Sequence, residues 1–436
     1  MADWRPSVTF SDRFTWVFEL QQAVRSSQPQ KADDELKAWP QSTENQAYSS
    51  CTSKEEYEAK LKAEIEKQKT LAAVVIESKD DEDDASWEDF EPSHASTEKV
   101  SFGAYKDAIP FRDGSSSTVY KASSPTDPRQ RLALKVTTPN SQPAPHDSLR
   151  EIRMLQLLGD HPNIIPLLDS PNIHNHLILV FPFVPCPLDQ ILLRQHTSPQ
   201  LIFSPARKKA IIHDLMTGLA YMHAQGIIHR DIKPSNILLS TPHSGPAQII
   251  DFGTAYAPPG SLGSDTAATE HPDAKVLDVG TTSYRAPELL FGNQRYDAKL
   301  DMWAAGCVVA EILAPAEKWR RRPGKNNNGS TSNSHSDGIG SRDGTTLFDS
   351  GDLGSELALI KSVFETLGTP DGQSWPESAS LPDWGKMTFV SYPAKAWSEI
   401  LPSASDVEVS FVQRLLRYET AWRMSAAQAL EHEYLA

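Results

Sequence analysis

The chain contains short clusters of polar residues whose types could carry acid–base and metal chemistry. The segment HRDIKPSN occupies residues 229–236, and an Asp-Phe-Gly triplet at 251–253 begins twenty residues after Asp231. An Ala-Pro-Glu triplet follows at 286–288, and a lysine-bearing run, RLALKVT, precedes them all at 131–137. Carboxylate and carboxamide oxygens bind Mg²⁺, and a positioned aspartate can accept a proton. One such motif alone is weak evidence, but their order and spacing together indicate a single site.

The hydrophobic pattern predicts the elements that must position these clusters. From about residue 101 the chain shows short β-type runs and one helical stretch, and after residue 185 it is mainly helical. A low-complexity segment at 323–344 predicts a disordered surface insertion. The predicted strands are 104–111, 117–122, 131–137 and 176–184, and the predicted helices are 148–158, 206–226 and 300–313.

With its motifs in this order, the chain resembles the eukaryotic protein kinases over roughly residues 101–436. The resemblance implies an α+β, bilobal protein kinase fold, with a small β-rich N-lobe at 101–184 and a larger, mainly helical C-lobe at 185–436. It also implies ATP and Mg²⁺ as cofactors and a protein as substrate. Phosphoryl transfer depends mostly on positioning and electrostatic stabilisation, which charged side chains at fixed positions can provide.

The resemblance also implies a role for each motif residue. Lys135 would hold the α- and β-phosphates of ATP and pair with Glu151, and Asp231 would accept the proton of the substrate hydroxyl. The pattern around Lys233 and Thr281 is typical of serine/threonine kinases. The predicted catalytic residues are Asp231, Lys233, Lys135, Glu151 and Thr281, and the predicted magnesium ligands are Asn236 and Asp251.

Two further charged residues match positions that are mainly architectural in this family. Asp301 would tether the catalytic loop, and Arg423 would pair with Glu288. Neither is expected to touch the reacting groups.

The predicted nucleotide site departs from the family pattern in its glycine loop. The family's G-x-G-x-x-G is R-D-G-S-S-S at 112–117, so two of three glycines are missing. Glycine permits close backbone approach, whereas Ser117 offers a hydroxyl to a phosphate oxygen and Arg112 adds a cation. Pro182 lacks an N–H, but the family uses only the carbonyl of that hinge residue. We therefore expect altered ATP affinity in an active enzyme. The predicted nucleotide-binding residues are Gly114, Ser117, Val119, Ala133, Lys135, Phe181, Pro182, Val184 and Leu238.

Several segments resemble the cyclin-dependent kinase branch, among them PHDSLREI at 145–152 and YRAPELLFG at 284–292. Kinases of that branch need a phosphorylated activation-loop threonine, but counting back from Tyr284 without gaps puts Val276 at this position. Arg230, which would bind the phosphate, is retained. An acidic neighbour such as Asp278 or Asp273 is therefore predicted to serve instead of the phosphate. Such an enzyme would not depend on an activating kinase.

Residues 381–403, LPDWGKMTFVSYPAKAWSEILPS, together with the altered glycine loop resemble the fungal single-subunit CDK-activating kinases. Those enzymes work without a cyclin and phosphorylate the activation-loop threonine of cyclin-dependent kinases, so the resemblance implies a cyclin-dependent kinase as substrate. Two alternatives stay open. The first is a cyclin-bound kinase with 145–152 as its cyclin-facing helix, and the second is a pseudokinase scaffold.

Composition limits the other partners. The net charge is −15, and residues 1–100 carry 22 acidic against 12 basic side chains, so most of the excess precedes the kinase-like region. Without clustered lysines and arginines, nucleic acid is not the expected ligand. No run of eighteen apolar residues indicates a membrane span, and three scattered cysteines indicate neither disulfides nor zinc. We expect a monomer that works in the cytoplasm, the nucleus or both.

Residues 1–100 are predicted to form an acidic, mostly disordered extension with possible helices at 11–25 and 53–72. The acidic segment at 77–92 suits a solvated linker. The alternative is an acidic docking tail anchored by Trp87 and Phe90.

Overall fold

A computed structural model describes residues 33–77, 99–114, 117–138, 144–195, 197–261, 270–315, 346–351 and 354–436, and a few isolated residues besides. The chain divides into two compact units, Met1–Asp89 and Phe90–Ala436. The predicted insertion at 323–344 and nearly all of the acidic segment 77–92 lie outside the described residues.

The first unit contains helices α1 (Asp33–Ser50) and α2 (Lys54–Glu77). Its buried Glu44 accepts two bonds from the Arg13 guanidinium, each 2.7 Å long, and one of 2.8 Å from the Tyr57 hydroxyl. The Ser53 hydroxyl accepts the Glu56 N–H at the start of α2. Two helices therefore occupy residues for which the sequence predicted mostly disorder with possible helices. The sequence did not predict α1 because Pro40 lies inside it.

The second unit begins with a six-stranded antiparallel sheet. The strands are β1 (Val100–Phe102), β2 (Tyr105–Asp113), β3 (Thr118–Ser123), β4 (Arg131–Thr137), β5 (Asn172–Ile173) and β6 (His176–Pro182). Their order in the sheet is β1-β2-β3-β4-β6-β5. In this register Lys135 of β4 lies between Val119 of β3 and Leu179 of β6, and Ala133 lies opposite Phe181.

One helix, α3 (Ser148–Leu158), packs beside this sheet. The Asp147 side chain caps it by accepting the N–H groups of Leu149 and Arg150. Gly159, with φ of 60°, ends the helix and donates its N–H to the Leu155 carbonyl. The buried side chains recur at helical spacing, and Glu151 lies among the apolar ones. A carboxylate is thus directed into the protein rather than toward water.

The remaining part is mainly helical. The longest helix begins after the Ser204 cap with Pro205 at its first position, and the side chains of the next longest are almost all buried. The helices are α4 (Leu188–Arg194), α5 (Pro205–Ala224), α6 (Pro287–Leu290), α7 (Lys299–Leu313), α8 (Glu356–Leu367), α9 (Trp397–Ile400), α10 (Asp406–Leu415) and α11 (Ala426–Leu430). A small sheet of β7 (Cys186–Pro187), β8 (Ile237–Leu239) and β9 (Ala247–Ile249) adjoins them.

This arrangement confirms the predicted α+β fold, with a β-rich N-lobe that holds one helix and a helical C-lobe. Each strand and helix predicted after residue 101 is present, with ends shifted by up to two residues. No described helix is long and apolar enough to cross a membrane.

Candidate active site

A buried ion network joins the N-lobe to the Asp-Phe-Gly segment. The Lys135 ammonium lies 2.9 and 2.7 Å from the two carboxylate oxygens of Glu151 and 2.8 Å from Oδ1 of Asp251. Burial alone would favour the neutral amine, but the two carboxylates outweigh it and raise the pKa of Lys135 above its usual range. Burial would likewise favour a protonated Asp251, yet the Lys135 charge holds the pKa of Asp251 below its usual range. Lys135 is therefore cationic and Asp251 anionic.

Asp231 is fixed from three sides. Its Oδ1 accepts the Thr281 N–H at 2.9 Å and the Thr281 hydroxyl at 2.8 Å. Its Oδ2 lies 2.8 Å from the Lys233 ammonium and accepts from Nδ2 of Asn236 at 3.1 Å. Lys233 also donates to the Thr281 hydroxyl at 2.7 Å. The four predicted side chains thus form one cluster around a carboxylate that can accept a proton.

The backbone of the catalytic loop is held by Asp301 of α7, which is fully buried. Its carboxylate accepts the N–H groups of His229 and Arg230, each at 2.8 Å, and lies 2.8 Å from Nε2 of His223. Arg230 and Asp251 both adopt positive φ, 69° and 68°, a conformation that non-glycine residues adopt only when the surroundings impose it. The loop conformation is therefore imposed by these contacts.

A second buried pair has no contact with these groups. Arg423 binds Glu288 with two parallel bonds of 2.7 and 2.9 Å, and both side chains are almost wholly buried. This geometry agrees with the architectural role expected for the pair.

A cavity of about 240 Å³ lies between the two lobes beside the ion network. Its lining includes all nine residues predicted to bind nucleotide, namely Gly114, Ser117, Val119, Ala133, Lys135, Phe181, Pro182, Val184 and Leu238. Lys233, Asn236, Asp251 and Glu151 also border it, whereas Asp231 and Thr281 do not. Motif reasoning missed the lining residues Phe111, Ile165, Pro187, Ser235 and Ile250. Most of these are apolar side chains, which in sequence look like core residues.

The described ends of the altered glycine loop are joined by a hydrogen bond between β2 and β3. The Gly114 N–H donates to the Ser117 carbonyl at 2.8 Å, and the Thr118 hydroxyl donates to the Asp113 carboxylate at 2.9 Å. Arg112 extends toward Asp189 at the start of α4, with 3.9 Å between the charged groups. The described residues Arg112, Gly114 and Ser117 therefore border the cavity although two of the usual glycines are missing.

The activation segment corrects one prediction. Arg230 binds neither Asp278 nor Asp273, because Asp278 pairs with Arg285 at 2.7 Å and Asp273 lies 3.7 Å from Arg295. The carboxylate that pairs with Arg230 is instead that of Glu270.

The residues fit ATP and Mg²⁺. The cavity has apolar walls suited to a base, and Lys135 supplies a cation at its inner end. The Asn236 amide N–H₂ is used by Asp231, which leaves the amide oxygen for a metal, and the Asp251 side chain is still 30% exposed. When bound, ATP supplies the phosphoryl group and Mg²⁺ neutralises part of its charge. Lys135 and Asp251 would then orient the nucleotide, and Asp231 would orient the acceptor hydroxyl and accept its proton.

Comparison with known proteins agrees with this site. The protein kinase domain family matches residues 112–435. Cyclin-dependent kinase 7 of Xenopus laevis is 34% identical over 328 residues, which are 74% of this chain and 79% of that protein. Cyclin-dependent kinase D-1 of Oryza sativa is 33% identical over 66% of this chain and 56% of its own length. Cyclin-dependent kinase 20 of Rattus norvegicus is 31% identical over 66% of this chain and 70% of its own. The chain belongs to the protein kinase family, in which it is a serine/threonine kinase of the cyclin-dependent kinase branch.

Proposed function

We propose that this protein is a cyclin-independent CDK-activating kinase that phosphorylates the activation-loop threonine of cyclin-dependent kinases. The observation that carries the proposal is the 2.7 Å contact between the Lys135 ammonium and the Glu151 carboxylate. This contact requires α3 to lie against the nucleotide cavity, which is the arrangement that phosphoryl transfer needs. The likeness of residues 381–403 to the fungal single-subunit enzymes supports the same conclusion.

One observation favours the cyclin-bound alternative. Leu149 and Leu157 of α3 are 49% and 37% exposed, although both are large apolar side chains. A partner protein on the outer side of α3 would cover them. A cyclin that co-purifies with the protein and raises its activity would favour this second candidate.

The pseudokinase alternative is not supported. The predicted phosphate-binding Lys135 and the predicted magnesium ligands Asn236 and Asp251 border the cavity. The predicted general base, Asp231, accepts a hydrogen bond from Asn236. These side chains support an active enzyme, and nucleotide with Mg²⁺ is expected to raise its melting temperature.

The test is transfer of labelled phosphate from ATP to an unphosphorylated cyclin-dependent kinase that is itself catalytically inactive. Wild type is compared with Asp231→Asn, with no cyclin present, and the labelled residue is mapped by mass spectrometry. Labelling of the activation-loop threonine by wild type alone supports the proposal. If a generic serine/threonine substrate is labelled but the cyclin-dependent kinase is not, the proposed substrate is wrong while the kinase assignment stands.

A further inference from the structure

The anion that faces Arg230 is the carboxylate of Glu270. Nη1 and Nη2 of Arg230 donate to Oε2 and Oε1 of Glu270 at 2.6 and 2.8 Å. This parallel, two-bond geometry matches the way in which a guanidinium binds a carboxylate or a phosphate. The Glu270 side chain is only 12% exposed. Partial burial would raise its pKa, but the bonds from Arg230 outweigh burial and lower the pKa of Glu270.

Glu270 also contacts two other parts of the kinase. The Val276 N–H donates to its Oε2 at 3.0 Å, and the Arg150 guanidinium lies 3.5 Å from its Oε1. Val276 is the residue that stands where the branch has its phosphorylated threonine. One carboxylate thus links the catalytic loop, the activation segment and α3.

The link to α3 reaches the nucleotide cavity directly. Arg150 precedes Glu151, whose carboxylate binds Lys135. The contact between Arg150 and Glu270 of the activation segment therefore restrains the turn of α3 that carries Glu151. The same Arg230 that binds Glu270 is followed by Asp231, the general base.

Neighbouring groups complete this site. The Tyr296 hydroxyl accepts from Arg230 at 3.0 Å and donates to the Val276 carbonyl at 2.6 Å. The Lys275 ammonium lies 5.0 Å from the centre of the Tyr256 ring and 5.4 Å from that of Tyr296. Residue 276 is therefore fixed through its own N–H and carbonyl beside the Arg230–Glu270 pair.

We propose that Glu270 is a positioning residue that takes the place of the activation-segment phosphate and holds the Lys135–Glu151 pair and Asp231 in their active arrangement. The inference rests on the proposed function, since it explains how the same active site works without an activating kinase. A glutamate carries less charge than a phosphothreonine. Here its partial burial and two-bond geometry compensate by strengthening each contact.

The first test uses Glu270→Ala and Glu270→Gln on a generic serine/threonine substrate. We expect kcat to fall about 10- to 100-fold in both, the loss expected when hydrogen bonds between charged groups are removed. Glu270→Asp should recover part of the rate because it restores the charge. The matched control is Asp273→Ala, an exposed acidic side chain of the same segment, which should keep the wild-type rate. Full activity of Glu270→Ala would overturn the proposal.

The second test asks whether a phosphate can replace the carboxylate. Phosphothreonine is installed during translation at position 276 in the Glu270→Ala background, and the Val276→Thr substitution in the same background is the unphosphorylated control. We expect the phosphorylated protein to regain at least a tenfold higher kcat, in accord with the strength of such charged contacts. Equal rates in the two proteins would show that Glu270 has only a structural role. Because the generic substrate is used throughout, failure to phosphorylate cyclin-dependent kinases would refute the proposed function without affecting this result.

Discussion

Thr281 donates twice to Asp231, from its backbone N–H at 2.9 Å and from its hydroxyl at 2.8 Å, and both bonds reach the same carboxylate oxygen. The hydroxyl also accepts from Lys233 at 2.7 Å. Thr281 therefore sets the direction in which the carboxylate of Asp231, the predicted general base, faces.

Thr281→Ala should lower kcat about 10- to 100-fold, because it removes one hydrogen bond to a charged group while the backbone bond remains. Thr281→Ser should keep most of the activity. KM for ATP should not change in either variant, since Thr281 does not line the nucleotide cavity. Steady-state kinetics with a peptide substrate measure both constants. A large rise in KM for ATP would contradict this account.

Gly280 is expected not to tolerate a side chain. Its φ is 81°, and an added Cβ would lie 2.9 Å from the Arg230 carbonyl. Gly280→Ala should cost about 1–3 kcal/mol of stability and displace Thr281 from Asp231, so that kcat falls as well. Gly372→Ala is the control, because an added Cβ there meets nothing within 4 Å. Urea unfolding and kcat are measured on both variants. Gly280→Ala should show a lower free energy of unfolding and a lower kcat than Gly372→Ala.

The Arg423–Glu288 pair should matter for folding rather than for chemistry. Removing only the cation with Arg423→Ala leaves a buried, uncompensated carboxylate and should cost about 3–5 kcal/mol. The double variant Glu288→Gln with Arg423→Met should lose less stability than the sum of the losses measured for Glu288→Gln alone and Arg423→Met alone. Lys386→Ala, which breaks an exposed pair with Asp383, should cost less than about 1 kcal/mol. Additive losses in urea unfolding would show that the buried charges are not coupled.

Glu311 predicts a dependence of stability on pH. It is wholly buried in α7, and burial raises the pKa of Glu311 well above its usual range, although the Tyr284 hydroxyl donates to it at 3.2 Å. Above the ordinary glutamate pKa the folded protein keeps a proton that the unfolded chain has lost. The folded state then binds more protons, so stability falls as pH rises toward the folded pKa.

Glu311→Gln removes this titration and keeps an acceptor for Tyr284. The stability of the variant relative to wild type should therefore increase with pH, by at most about 1.4 kcal/mol per pH unit. Urea unfolding at several pH values above the ordinary glutamate pKa measures the difference, since the folded protein retains the Glu311 proton there. Parallel stability curves for the two proteins would show that Glu311 is already ionised.

Most of the fold and the catalytic cluster could be predicted from sequence, because they depend on local patterns. The lysine of β4 and the aspartates after β-type runs lie in short motifs whose neighbours determine their position. Glu270 could not be predicted this way. Counting back from Tyr284 locates Val276. No local sequence pattern shows which acidic side chain of the activation segment will contact Arg230, because that depends on how the loop folds back.

Apolar residues of the site were missed for a different reason. Ile165 and Ile250 border the cavity, yet in sequence they cannot be distinguished from core residues because their function depends only on which side of the cleft they face. Helix α1 was missed because Pro40, which lies inside it, is normally a helix breaker.

The pairing of Arg230 with Glu270 also affects how such an enzyme can be controlled. Glu270 is part of the polypeptide, so the anion beside Arg230 is present as soon as the chain folds and lasts as long as the chain does. No phosphatase can remove it. Control over time would then have to act through synthesis, degradation or access to substrates.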